Sequence, residues 1–80
     1  MINKRMNYAN IYQQIVERAL TREKPDYYET HHIVPRCMNG SNDPDNLIAL
    51  TPEEHYVAHQ LLVKMYPDHK QLVHAANMMR

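Results

Sequence analysis

Tyr8, Ile11, Tyr12, Ile15, Val16, Ala19 and Leu20 recur at steps of three and four, which places them on one face of a helix. Asn7 precedes the run as an N-cap, and Pro25-Asp26 break it. The spacing predicts a helix over 7–21. From Tyr27 to Val34 the chain is aromatic and β-branched, the composition of a strand, and Pro35 ends it. Residues 35–45 hold Asn39-Gly40, Pro44 and several Asx and Ser residues, so they read as a loop. A second short strand follows over 46–50. Thr51-Pro52-Glu53-Glu54 is a helix start, with Thr51 as N-cap, Pro52 at the first helical position and Glu54 closing a capping box. That helix runs to about Tyr66, with Val57, Ala58, Leu61, Leu62 and Met65 as its apolar stripe. Asp68 caps a last helix over 68–79, with Leu72, Val73, Ala76 and Met79 on one side. The whole is a small α+β domain without internal repeat or low-complexity tract.

Size changes how this pattern is read. Eighty residues make one domain, 1–80, which buries only roughly 60 to 65% of the surface its unfolded chain exposes. A core that thin often needs a staple. Cys37 stands alone, so no intramolecular disulfide and no cysteine-based zinc ribbon supplies it. The staple is then a metal, or packing suffices. The sequence has no apolar run long enough to span a bilayer and no signal-peptide core, so no membrane partner is expected and a reducing cytoplasm is the default setting.

The formal charge is zero but unevenly spread. Residues 1–24 carry Lys4, Arg5, Arg18, Arg22 and Lys24 against Glu17 and Glu23. Residues 25–60 carry only Arg36 against Asp26, Glu29, Asp43, Asp45, Glu53 and Glu54. Residues 61–80 carry Lys64, Lys70 and Arg80 against Asp68. An acidic middle tolerates a cation. Strong nucleic-acid binders, whose affinity rests on many phosphate contacts, look different.

The chemistry lies in the histidines. His31 and His32 sit side by side at the end of the first predicted strand, and His55 and His59 are four apart on the second predicted helix, so they share a face. Asn46 lies between the two pairs. Imidazole is the commonest protein metal ligand and the side chain best suited to proton transfer near neutral pH. A lone pair at this helical spacing is more often solvated than metallated. Two pairs in one ordered pattern, one at a strand end and one just inside a capped helix, point to a shared ion with a spare imidazole beside it. The helix pair is not a zincin signature, because Tyr56 stands where that motif needs a Glu.

Tyr28-Glu29-Thr30-His31-His32-Ile33-Val34-Pro35, then Asn39 to Leu47, then Leu50-Thr51-Pro52-Glu53-Glu54-His55 and His59 resemble the HNH endonucleases, most of all the phage-type homing enzymes. The core is also similar to that of the nuclease colicins. The resemblance covers residues 27–62 and extends weakly over the first helix. It implies a ββα-metal finger over 27–66, a DNA phosphodiester hydrolase working on double-stranded DNA, and a setting in a bacterial or phage-infected cytoplasm. It implies one divalent ion, Zn²⁺, Ni²⁺, Mn²⁺ or Mg²⁺, and no small-molecule cofactor. His31, His55 and His59 would be its ligands and His32 the general base. Asn46 would tie the loop ends and help fix the base, and Glu29 would be an accessory carboxylate. The chemistry agrees, since hydrolysis needs an activated water and a Lewis acid on the phosphate. Imidazole-rich ligation favours a transition metal over Mg²⁺.

The match has departures. Adjacent residues on a strand point to opposite faces, so His31 and His32 serve one centre only if the backbone twists or the phosphate wraps around the strand. Asn39 stands where the family often has Gly, and Asn tolerates the left-handed region the turn requires. The chain ends at Asn77-Met78-Met79-Arg80 without the basic or aromatic tail such nucleases usually add for DNA binding, as expected of a shortened or minimal member. Arg36 is a candidate phosphate contact, or a partner of Asp43 or Asp45. Cys37 reads as a loop bystander, the methionines as core filler and terminal residues, Tyr8 and Tyr12 as core, and His69 and His74 as surface. Two rivals to the nuclease are a nucleic-acid-binding module with a structural zinc site and a small protein-interaction domain without metal. His32 separates them, because a purely structural site has no use for a fourth imidazole beside the ion.

Overall fold

The computed structural model describes residues 7–79. Lys4, Arg5 and Arg80 of the basic flanks, and Met1 and Met6, lie outside the described residues. Helix α1 spans Tyr8–Thr21, strand β1 Glu29–His32, strand β2 Leu47–Leu50, helix α2 Pro52–Met65 and helix α3 Lys70–Met78. The strands form one antiparallel pair in which Glu29 faces Leu50 and His32 faces Leu47. Helices α1 and α2 pack on each other and on the hairpin, and α3 packs on α2. No described helix is long and apolar enough to cross a membrane.

Most element signals act as the sequence predicts. The Asn7 side chain accepts from the Asn10 amide and starts α1. Thr51 and Glu54 form the reciprocal capping box at α2, with Pro52 in the first turn, so the turn before His55 is fixed by local hydrogen bonds. The core joins Tyr12, Ile15 and Val16 of α1, Ile48 and Leu50 of β2, Ala58, Leu61 and Leu62 of α2, and Leu72 of α3. Met38 and Met65 pack against it as filler.

Several boundaries differ from expectation. The first strand covers four residues rather than 27–34, because its partner has only four to offer. Tyr27 and Tyr28 are left exposed. Asn46 belongs not to β2 but to a short 3-10 turn, Pro44–Asn46, and the predicted loop also holds a 3-10 turn at Arg36–Met38. Helix α3 begins after His69, not Asp68, and His69 makes no side-chain cap bond. Leu20 and Val57 lie on the predicted apolar stripes yet are 60% and 44% exposed. Each sits at the margin of its stripe, and so small a domain has no further layer to cover it.

Asn46 ties the loop between the strands together, alongside backbone hydrogen bonds such as that from the Gly40 amide to the Pro35 carbonyl at 2.9 Å. Asn46 accepts from the Val34 amide at 2.9 Å through Oδ1 and donates through Nδ2 to the carbonyls of Val34 at 3.1 Å and Ser41 at 2.8 Å. Asn39 takes the left-handed conformation at φ 71°. The next residue is glycine for space, since a Cβ at Gly40 would lie 1.7 Å from the Val34 carbonyl oxygen.

Arg22, just past α1, grips the start of α2. It donates to both carboxylate oxygens of Glu54, at 2.7 and 2.6 Å, and to the Ala49 carbonyl at 3.2 Å. The Arg22 guanidinium holds the Glu54 carboxyl down at about 2 from 4.5, helped by the Thr51 hydrogen bonds. A depressed carboxyl pKa contributes stability above pH 4.5 and loses it as pH falls towards 2. Arg22→Ala is expected to cost about 1–3 kcal/mol, the usual effect of leaving a charged group without its hydrogen bonds. It should also flatten that acid limb, as measured by urea denaturation across the acid range.

Candidate metal centre

His31 is the one buried polar residue of the described core, 2% exposed. It lies in the middle of the β1–β2 pair opposite Ile48, so the pleat turns it inward against α2. Glu29, two residues earlier, shares that face. From α2, His55 and His59 meet it one helical turn apart. The ring centroids are 5.1 Å apart for His31 and His55, 5.2 Å for His31 and His59, and 4.9 Å for His55 and His59, all edge to face. One ring nitrogen from each of the three lies within 4.8 Å of the others.

The hydrogen bonds around this cluster are asymmetric. His55 donates from Nδ1 to Glu29 Oε1 at 2.8 Å, which leaves Nε2 as its free ligand atom. The opposed carboxylate fixes that ring, as outer partners of metal-bound histidines do. His31 Nε2 lies 2.8 Å from the Tyr12 hydroxyl. His59 Nδ1 is buried without a hydrogen-bond partner.

Electrostatics keep His31 and His59 in their ligating form. Burial, and then the nearby His59, His55 and His32, push the His31 imidazole down to about 3. Burial, and then His55, push His59 down to about 4. Both rings are neutral at neutral pH and present lone pairs, the state a metal needs. A set of three converging imidazoles, one held by a carboxylate and one with an orphaned nitrogen, fits a divalent transition ion.

His32 sits beside the cluster but outside it. The pleat turns it away from His31, and its Nε2 donates to Asn42 Oδ1 at 2.8 Å. Its basic nitrogen is therefore Nδ1. A cleft of about 270 Å³ at the strand end is lined by His31, His32, His55, His59, Arg36 and Gln71, among others. The cleft thus wraps the end of β1 and gathers both neighbours that the pleat separates. Arg36 is exposed on its wall and, among the described residues, pairs with neither Asp43 nor Asp45. Asn46 lies in the loop with every polar atom of its amide engaged by backbone.

Three features escaped the sequence reading. Tyr12 is core, but its hydroxyl reaches His31 and donates to the Ile33 carbonyl at 2.7 Å. Asn42 holds His32 from ten residues away, and nothing in the loop composition singles it out. His69 is half-buried rather than a surface residue, with Nδ1 buried and unpartnered, whereas His74 is exposed. Cys37 is exposed and free, as expected of its loop, although it lines the cleft.

The chain is 54% identical over 63 residues to the probable mobile endonuclease E of Enterobacteria phage T4, covering 78% of this chain and 45% of that protein. It is 53% identical over 66 residues to probable mobile endonuclease B of the same phage, covering 76% and 25%. It is 40% identical over 75 residues to probable mobile endonuclease D, covering 88% and 29%. The chain therefore spans less than half the length of these relatives. No protein-family model matches it, and no solved structure does. The similarities bear out the resemblance to phage homing endonucleases.

Proposed function

We propose that the chain carries a metal-dependent endonuclease centre of the HNH type that hydrolyses DNA phosphodiester bonds. The observation that supports it best is the convergence of His31, His55 and His59 within 4.8 Å, in a cleft whose rim holds an unligated fourth imidazole, His32. The relatives named as mobile endonucleases point the same way.

His31, His55 and His59 would hold one divalent ion, Zn²⁺, Ni²⁺, Mn²⁺ or Mg²⁺, which supplies Lewis-acid polarisation of the phosphate and leaving oxygen. The rest is the work of the chain. Glu29 keeps His55 turned with Nε2 free for the ion. His32 takes a proton from the attacking water at Nδ1, while Asn42 holds Nε2–H and so keeps Nδ1 unprotonated for the task. Asn46 bonds the Ser41 carbonyl, next to Asn42, and thereby steadies the loop that steadies the base. Arg36 on the cleft wall meets a phosphate oxygen.

Plasmid nicking by the purified chain, with EDTA, Mg²⁺, Mn²⁺, Ni²⁺ and Zn²⁺ in parallel, tests this reading. Cleavage that EDTA abolishes and a divalent ion restores supports it. Metal binding without cleavage in any ion overturns it in favour of a structural zinc module.

The charge balance adds a prediction for binding. With zero formal net charge and an acidic middle, residues 1–80 should hold double-stranded DNA with a Kd on the order of micromolar or weaker, falling steeply with salt and nearly blind to sequence. Gel shifts over a salt series check this, and tight sequence-selective binding would contradict it.

A further inference from the structure

Tyr12 lies on the apolar stripe of α1, 6% exposed, in a helix outside the ββα finger. Its ring packs edge-on to His31 at 5.9 Å between centroids. A phenylalanine would fill nearly the same space and keep the ring contact. The hydroxyl therefore needs its own explanation, and its two neighbours provide one.

A phenol has one proton to donate. The Ile33 carbonyl, at 2.7 Å, can only accept. That proton is committed to Ile33, so at the 2.8 Å contact with His31 Nε2 the Tyr12 oxygen must be the acceptor. Nε2 then carries the hydrogen of the neutral imidazole, and the lone pair belongs to Nδ1. The Ile33 carbonyl is itself positioned, because the Ile33 amide donates to the Asn46 carbonyl at 2.8 Å. The backbone that follows β1 thus sets the hydroxyl, and the hydroxyl sets the ring.

The geometry points to Tyr12 as a positioning residue that locks His31 with its proton on Nε2, which leaves Nδ1 as the lone-pair nitrogen available to an ion shared with His55 and His59. For metal binding this rests on the reading of the three histidines as ligands. It makes α1 part of the centre: Tyr12 does for His31 what Glu29 does for His55, through the other ring nitrogen. The result is one ligand held at Nε2 and another at Nδ1. Removing the Tyr12 hydroxyl leaves a buried N–H and a half-buried carbonyl without that partner.

Nitrogen-15 NMR of the metal-free chain tests the tautomer directly. In the wild type, His31 should show a protonated Nε2 with a slowly exchanging hydrogen and an unprotonated Nδ1. A wild-type spectrum with the hydrogen on Nδ1 overturns the assignment without any variant. In Tyr12→Phe, which keeps the ring, the protected Nε2 hydrogen should disappear. Zn²⁺ affinity by calorimetric titration should then fall by about 10- to 100-fold, the usual effect of losing an outer partner of a metal-bound histidine. Glu29→Gln should weaken Zn²⁺ binding while leaving the His31 hydrogen protected, and Tyr8→Phe should change neither readout. Tyr12→Phe with unaltered Zn²⁺ affinity and an unaltered His31 signal refutes the proposal. A wild type that shows the protected Nε2 hydrogen but binds no Zn²⁺ overturns the metal reading alone and upholds the tautomer.

Discussion

His32→Ala should leave metal affinity near that of the wild type and lower single-turnover cleavage by about two to four orders of magnitude, the usual contribution of a positioned acid–base group. His55→Ala should lose metal and cleavage together. The contrast follows from where the two rings lie. His55 meets His31 and His59 with centroids about 5 Å apart, whereas His32 is turned to Asn42 on the far side of the strand. On the proposed reading, removing His32 deletes the proton acceptor and no ligand, whereas removing His55 deletes a ligand and takes from Glu29 its bond to that ring. Asn42→Ala should fall between wild type and His32→Ala, because it frees the base to rotate without removing it. Metal titration and single-turnover cleavage on all three variants give the answer. A His32→Ala variant that cleaves like the wild type would remove the base from this role and leave a metal site without a catalytic histidine.

The parts of this centre that were legible in the sequence are those whose geometry is local. A capping box and a four-residue step fix where His55 and His59 stand on α2, because helix geometry relates near neighbours rigidly. The period-two pleat says that His31 and His32 part company, and they do. What the pleat cannot say is that the cleft closes around the strand end and reunites them, since that depends on α3 supplying Gln71 and Leu72 as a wall. Tyr12 shows the same boundary more sharply. Its position on the stripe correctly predicts burial. Its hydroxyl partner lies 19 residues away, and periodicity carries no information about a contact of that separation. Arg22 and Glu54, 32 residues apart, are another such pair: the capping role of Glu54 is a local fact, its ion pair a tertiary one. The strand ends were overrun because β-propensity describes each segment alone, whereas a ladder stops when its shorter partner stops.

Metal should be the staple that so thin a core lacks. An ion that binds only the folded chain stabilises it by about 2.7 kcal/mol at a free concentration 100 times its Kd. At roughly 4–8 °C per kcal/mol for a domain of this length, the melting temperature should rise by about 10–20 °C over the EDTA-treated protein. The gain should vanish in His55→Ala. Acid should act on the same groups. His31 and His59 are held down at about 3 and about 4 against an ordinary 6.5, so as pH falls below 6.5 the unfolded chain takes up protons that the folded chain refuses. Folded stability without metal should therefore be full above pH 6.5 and decline below it, by about 1.4 kcal/mol per pH unit for each of the two rings. The decline from His59 should end near 4 and that from His31 near 3. The same protons compete with the ion, so the stabilisation from metal should shrink over this range as well. Glu54 enters later, between 4.5 and about 2, and separates the Arg22 contact from the histidine cluster on the pH axis. Calorimetric melts with EDTA and with Zn²⁺, stepped from neutral to acidic pH, resolve the two contributions. A melting temperature indifferent to both chelator and mild acid would show that the three rings pack as core and hold nothing.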